Sequence, residues 1–377
     1  MHSDGAKTDV KPRSSSRYAA RLTLGIYRFV RPSAYCSASG NWRCLVGNGS
    51  AGKKADHNVG KTRDHTVPQM YLRRFAEDRG REQPELTVRR IDHVDRPFPT
   101  GPKNILVERG FYWGSTLEGV PHHLVEELLM QFEDDAAPVM KAVLDAPEGA
   151  LPESWPLAPV ERMHLAWWMA AQILRTTRQR KRLTHASQGG KALEVPAGIA
   201  AIAANNPHLQ YIVGHLAALA LTLYARPWGL GFSGMCLLTS DVPVVLFNAQ
   251  DADDQLAAAA FCDIVLPLDP HRLLLLPGIA TQALDSRKRT DHRMVIQGAV
   301  GMALVQVVYD AADTFVVHHP LHDPWRYWKP SGPRLPSPWD GQNHPAPTYA
   351  IEYDILPPDL TVERRWLTEH PPPTTTS

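Results

Sequence analysis

His65-x-x-Pro68-Gln69-x-Tyr71-Leu72-x-x-Phe75 places an imidazole directly ahead of an amphipathic run. Pro68, Tyr71, Leu72 and Phe75 fall at i, i+3, i+4 and i+7, the apolar stripe of a helix. Pro68 suits the first turn, because the N–H it lacks would have no partner there. Gln69, Arg73 and Glu77 recur every four residues on another, polar face. His65 then sits beside the positive end of a helix, where an imidazole is kept neutral and available as base, acceptor or ligand. Capping or packing against its own helix is the competing use of the same ring.

A second polar set lies on a segment that reads as a core helix. Glu161, His164, Trp168, Gln172 and Arg175 sit at offsets 0, 3, 7, 11 and 14, one face of a run that is otherwise apolar nearly all round from 163 to 174. Buried charge needs a partner, and Glu133 on the preceding predicted helix is the natural one for Arg175. The pair and its neighbours are either a register-fixing network or a pocket. In a pocket, Arg175 offers its two-pronged fork and Gln172 its amide to an anionic or amide-bearing ligand. Thr239-Ser240-Asp241-Val242-Pro243 follows a predicted strand. Asp241 before x-Pro is a good turn former, yet a carboxylate held rigidly at a strand end also suits catalysis or metal binding. His65, Glu133 and Asp241 are therefore the candidate catalytic group, for general acid/base work or a divalent metal. Gln69, Gln172, Arg175 and Ser240 are the candidate ligand-binding group.

Other signals lead nowhere. Glu161-x-x-His164 is half of a di-iron carboxylate motif without its second copy. The side chains of His122-His123 and His318-His319 diverge, which disfavours chelation. Ser233, in Gly231-Phe232-Ser233-Gly234, lacks the flanks of a nucleophile elbow, and no phosphate-binding Gly-rich loop is present. The cations Arg175, Arg178, Arg180, Lys181 and Arg182 complement a helix C-terminus.

The elements that must position these residues predict an α+β protein: a mainly helical N-terminal half and a small antiparallel sheet in the C-terminal half. Helices are expected from Pro121, over about 159–183, over 192–223 with a break at Asn205-Asn206-Pro207, and over 295–309. Strands are expected at 86–91, 104–113, 235–239, 244–247, 264–268, 273–276 and 315–317. The two strands flanking Asp269-Pro270-His271 form a hairpin.

We expect three regions: a basic disordered extension over 1–62, a single α+β domain over 63–319, and a Pro-rich extended tail over 320–377. The first 63 residues hold twelve Lys/Arg against three Asp, so that stretch is +9 and the remaining 314 residues are −8. Such an arm offers weak, nonspecific nucleic-acid contact, whereas the acidic body argues against an extended nucleic-acid surface. The tail holds thirteen of the 33 prolines and drapes on the body through Trp325, Tyr327 and Trp328. No methionine lies between Met1 and Met70, and the native start is expected downstream, with Val59 as an alternative start codon. Cys36, Cys44, Cys236 and Cys262 form neither a disulfide framework nor a C-x-x-C site. Cys236 and Cys262 fall in apolar runs, where free cysteine acts as a small hydrophobe. The apolar run over 22–30 is interrupted by Arg28 and has no signal-peptide layout. No stretch reaches the roughly 18–20 apolar residues of a membrane span. These features point to a soluble, cytoplasmic protein.

Several pieces, in this order, resemble the signature of domain-of-unknown-function family 4238, a mainly microbial family. They are the His65–Phe75 run, Asn104 ahead of Phe111-Tyr112, Glu133, and Gln172-x-x-Arg175-Thr176-x-x-Gln179. Thr239-Ser240-Asp241-x-Pro243-Val244 and Leu266-Pro267-Leu268 complete the set. The resemblance covers roughly 63–318 and implies a common fold without supplying an activity. His, Gln, Glu, Arg, Ser and Asp dominate these positions, where a pure scaffold would share mainly Gly, Pro and apolar residues. The leading expectation is a hydrolase or nuclease-like enzyme with a polar pocket, cofactor unknown, a divalent metal being a candidate. The alternative is a non-catalytic binding or interaction module whose polar residues form a buried structural network.

Overall fold

The computed structural model describes residues 63–331, apart from 79, 81–82, 146–151, 153, 189–202, 205, 248–258, 260–261 and 278–290. The basic extension lies outside the described residues, and with it Cys36, Cys44, the 22–30 run, the downstream start and the nucleic-acid contact. So do Asn205, most of 192–203 and the tail beyond 331.

Arg63–His65 (β1) is followed by Gln69–Leu72 (α1), which tightens into a 3-10 turn over Arg73–Phe75. Then come Leu86–Arg90 (β2), His93–Thr100 (β3), Val107–Arg109 (β4), Gly114–Ser115 (β5) and Pro121–His122 (β6). The helical block is Leu124–Leu144 (α2), Pro159–Leu174 (α3), Thr177–Gln188 (α4) and Pro207–Ala225 (α5). Gly229–Ser233 (β7), Thr239–Ser240 (β8), Val245–Phe247 (β9), Asp263–Pro267 (β10), Arg272–Leu276 (β11) and His292–Ile296 (β12) precede Gly298–Ala311 (α6) and Phe315–His318 (β13).

The α+β class is as expected, but its arrangement is not. Among the described residues the helices sit mostly in the middle of the chain, and the sheets are spread throughout. A five-stranded sheet runs β12-β7-β11-β10-β9, antiparallel except for the β12–β7 pair, and a four-stranded antiparallel sheet runs β3-β2-β13-β8. Two short ribbons, β1-β4 and β5-β6, complete the set. The N-terminal half is therefore rich in strands. The reason is long-range pairing: Leu86–Arg90 alternates Leu86 and Val88 inward, and its partner is Phe315–His318 near the other end of the described chain. No local pattern announces a partner so far away.

The hairpin of β10 and β11 is as read, with Ile264 opposite Leu276 and Pro267 opposite Leu273. The expected strand over 235–239 instead resolves into β7 before it and the two-residue β8 after it. The 159–183 helix breaks at Arg175, whose φ of −90° and ψ of 12° leave the α-helical path. Thr176 Oγ1 then accepts the Gln179 N–H at 3.3 Å and caps α4.

Helix α3 packs against both α2 and α5 and is buried from Leu165 to Leu174. Trp167 stacks on Phe132 of α2 with centroids 4.9 Å apart and planes 12° from parallel. Trp325 and Trp328, at the start of the Pro-rich stretch, are buried in the same apolar cluster as Tyr309 and Val316. Tyr327 is exposed, with its hydroxyl donating to the Cys236 carbonyl at 2.9 Å. Among the described residues no helix is long and apolar enough to cross a membrane.

Candidate functional site

Strand β1 pairs with β4, which sets His65 opposite Val107, and Thr66 clamps the Leu106 carbonyl with both its N–H and its hydroxyl, at 2.9 and 3.1 Å. Pro68 is not inside the first turn but caps it in extended conformation (φ −61°, ψ 138°). His65 is thereby held on a strand end, half-buried, ahead of a helix of only four residues. Burial lowers its pKa, aided by the Arg63 charge, while the Pro102 and Lys103 carbonyls and Glu133 act against it. The ring is neutral at physiological pH, and its Nε2 is buried with no hydrogen-bond partner among the described residues.

Tyr112 joins this strand to the helices. Its N–H donates to Asp64 Oδ2 at 3.2 Å and its hydroxyl to the His65 carbonyl at 3.1 Å. Burial pushes the phenol far up, so it stays protonated. Arg175, 1% exposed, donates from Nη1 to Glu133 Oε1 at 2.6 Å, and from Nε and Nη2 to Gln172 Oε1 at 3.2 and 3.0 Å. Burial works against its charge, but Tyr112 and Glu133 outweigh that and hold the guanidinium pKa above its usual value. Glu126, on the same helix as Glu133, has its carboxyl raised by burial and by the Asp64 charge, with His123 opposing. His65, Glu133, Gln172 and Arg175 therefore belong to one neighbourhood, joined through Asp64 and Tyr112, which the sequence reading did not single out. Phe111-Tyr112 lies in the signature, but only a fold places a tyrosine between a strand and two helices. Asp64 Oδ1 and Gln172 Nε2, which belong to residues of these same contacts, are likewise buried with no partner among the described residues.

Asp241 is engaged with the backbone. Its Oδ1 accepts the Asp313 N–H at 2.8 Å, and its Oδ2 accepts those of Thr314 and Phe315 at 2.6 and 3.2 Å. Burial raises its pKa to about 6, with the three N–H donors pulling the other way. It is the cap of the turn into β13. Ser240 Oγ is spent on Val242, whose N–H it accepts and whose carbonyl it bonds. Gln69 stands half-buried at the first position of α1.

Tyr71, not His65, links the first signature segment to the late strands. Its buried hydroxyl donates to the Pro267 carbonyl and meets Thr239 Oγ1, both at 2.7 Å, while its ring packs on Trp168 with centroids 5.4 Å apart. One further buried node had no signal in the sequence. Arg162 pairs with Asp291 and donates to the Tyr224 and Arg226 carbonyls, and Arg226 donates to the carbonyls of Cys262 and Leu276.

The signature pieces thus meet in space at two places, around Tyr71 and around Arg175. A family model described as protein of unknown function (DUF4238) matches residues 63–320. The chain belongs to that family. No curated protein and no solved structure matches the chain. The DUF4238 match spans all the residues of both clusters and carries no activity with it.

Proposed function

We propose that this DUF4238 protein is a hydrolase-type enzyme with His65 as general base, and that the other polar signature residues hold His65 in place. The observation that carries the reading is a neutral, half-buried imidazole whose buried Nε2 meets no partner among the described residues, set near the Glu133 carboxylate. A neutral ring with an unspent nitrogen can take a proton from water, and the nearby carboxylate stabilises the imidazolium that results. Arg175 acts as a positioning residue, because three of its donor contacts go to Glu133 and Gln172. The carboxylates Asp64, Glu126 and Glu133 make the surroundings acidic, which favours a neutral ester or amide substrate over a phosphodiester. Asp241 takes no part in the chemistry.

The test is a panel of ester, amide and phosphoester substrates turned over by the wild type and by His65→Gln. The expected loss of kcat is about 10²–10⁴-fold, the usual weight of a general base, with the unfolding midpoint nearly unchanged. The kcat/KM profile should stay flat down through the ordinary imidazole pKa, because burial depresses the His65 value. Turnover that survives His65→Gln refutes the assignment.

A second reading has its own observation in favour: Arg175 is sealed from solvent and fully engaged with Glu133 and Gln172. A non-catalytic interaction module needs that network only as a frame. It predicts that His65→Gln changes stability and no turnover.

A further inference from the structure

We propose that Cys236, His271 and His322 form a zinc-binding site, separate from the His65 neighbourhood. The three residues come from three segments: the loop between β7 and β8, the β10–β11 turn, and the segment after β13. Their ligand atoms all lie within 4.8 Å of one another, and each residue is half-buried. His271 Nε2 and His322 Nδ1 are 3.0 Å apart, and Cys236 Sγ is 3.8 Å from His322 Nδ1. Zinc–nitrogen and zinc–sulfur bonds of about 2.05 and 2.3 Å at tetrahedral angles give edges of roughly 3.3 and 3.6 Å. The two observed separations bracket those edges, and the third, from Cys236 Sγ to His271 Nε2, lies within 4.8 Å where an edge of roughly 3.6 Å is needed, so metal capture draws the donors together by at most about 1 Å.

The surroundings orient the donors. His271 Nδ1 lies 3.1 Å from the Ser233 carbonyl, which can only accept, so Nδ1 carries the proton and the Nε2 lone pair faces the cluster. Asp269 Oδ1 accepts the His271 and Arg272 N–H groups at 2.8 and 2.7 Å and fixes the turn that carries this ring. The Cys236 loop is tied to the same turn, because the Ser233 N–H donates to the His271 carbonyl and the Leu237 N–H to the Pro270 carbonyl. His319 is close, its ring centroid 4.7 Å from that of His322. Its Nδ1 accepts the Leu321 N–H at 3.2 Å, which leaves the proton on Nε2 and removes the ring from the ligand set. One thiolate and two imidazoles suit zinc among the divalent metals, and the fourth tetrahedral position falls to solvent. On binding, the Cys236 thiol releases its proton to water, and the His322 ring keeps its single proton by moving it through solvent from Nδ1 to Nε2. The site then clamps the segment carrying Trp325 and Trp328 to the hairpin.

The experiment uses the full chain, produced without a histidine tag in zinc-supplemented medium and dialysed. Elemental analysis should find about one zinc per chain, absent from Cys236→Ser and from His322→Gln. Replacing zinc by cobalt should give a tetrahedral spectrum with a thiolate-to-cobalt charge-transfer band that Cys236→Ser removes. His65→Gln should keep both signals, so failure of the proposed activity and failure of this site are read separately. Wild type that holds no zinc and takes up no cobalt overturns the proposal. Retention of the metal by Cys236→Ser and His322→Gln overturns it equally.

Discussion

The Glu133–Arg175 pair lends itself to a double-mutant cycle, because its two members differ in what they can do once alone. Arg175 is 1% exposed and its partner's side chain 26%. In Glu133→Gln the guanidinium remains in the interior without a counter-charge, and it cannot reach water. That places the cost near the upper part of the range for breaking a buried pair, about 4 kcal/mol. In Arg175→Met the charge itself is gone, and Glu133 can hydrate through its exposed quarter. What remains is the lost hydrogen bonding at Gln172 Oε1, for about 2–3 kcal/mol. The double variant has no stranded charge, so it should recover about 2 kcal/mol relative to the sum of the singles. Urea unfolding of the full chain, followed by the fluorescence of its ten tryptophans, measures all four corners. Additivity within about 0.5 kcal/mol, or a Glu133→Gln cost below about 1 kcal/mol, would refute the claim that this pair braces α2 against α3.

Two other expectations follow from buried polar groups. Asp241→Ala strips three backbone N–H groups of their acceptor at about 1–3 kcal/mol each, so a loss of at least about 3 kcal/mol is expected in the same unfolding assay, with no separate effect on turnover. His208 donates through Nε2 to the Leu174 carbonyl and is kept neutral by burial, its pKa lowered to about 3. The unfolded chain therefore binds this proton first. The stability from His208 is complete above the unfolded value near 6.5 and is lost as pH falls toward 3, by about 2 kcal/mol between pH 6.5 and 4.5. Denaturation midpoints across that interval, in wild type and His208→Phe, check it: the variant should show the shallower slope.

The helices and the β10–β11 hairpin were legible because their signals are local. Apolar spacing marks Leu165 to Leu174, Asn206-Pro207 opens α5 as N-cap and first residue, and Asp269-Pro270-His271 turns between two apolar runs. What failed was everything decided by distant partners. β2 finds β13, β7 finds β12 in parallel, and the late strands do not form one small sheet. The break at Arg175-Thr176 was also hidden, since Gln172-x-x-Arg175 keeps helical spacing across the point where α3 stops. Glu161, His164, Trp168 and Gln172 do share the helix, which runs to Leu174, and Arg175 lies just past its end; Glu161 spends a carboxylate oxygen on the Ala158 N–H at 3.1 Å.

The site was half legible for a related reason. A sequence supplies residue types, and His, Glu, Arg, Gln and Asp read as chemistry whether their polar atoms are spent or unspent. In the fold these residues separate by what their atoms already do. Asp241 gives both oxygens to three N–H groups, Ser240 gives its hydroxyl to Val242, and Arg175 gives its fork to Glu133 and Gln172. Each of these accounts for a shared polar residue without any ligand, because interior polar groups must be satisfied wherever water is excluded. His65 Nε2, Asp64 Oδ1 and Gln172 Nε2 are among the buried atoms here that meet no partner among the described residues. An unsatisfied buried donor or acceptor costs about 1–3 kcal/mol. In the proposed function, three such atoms gathered around one tyrosine and one ion pair receive something polar, and His65 is the member of the three able to move a proton.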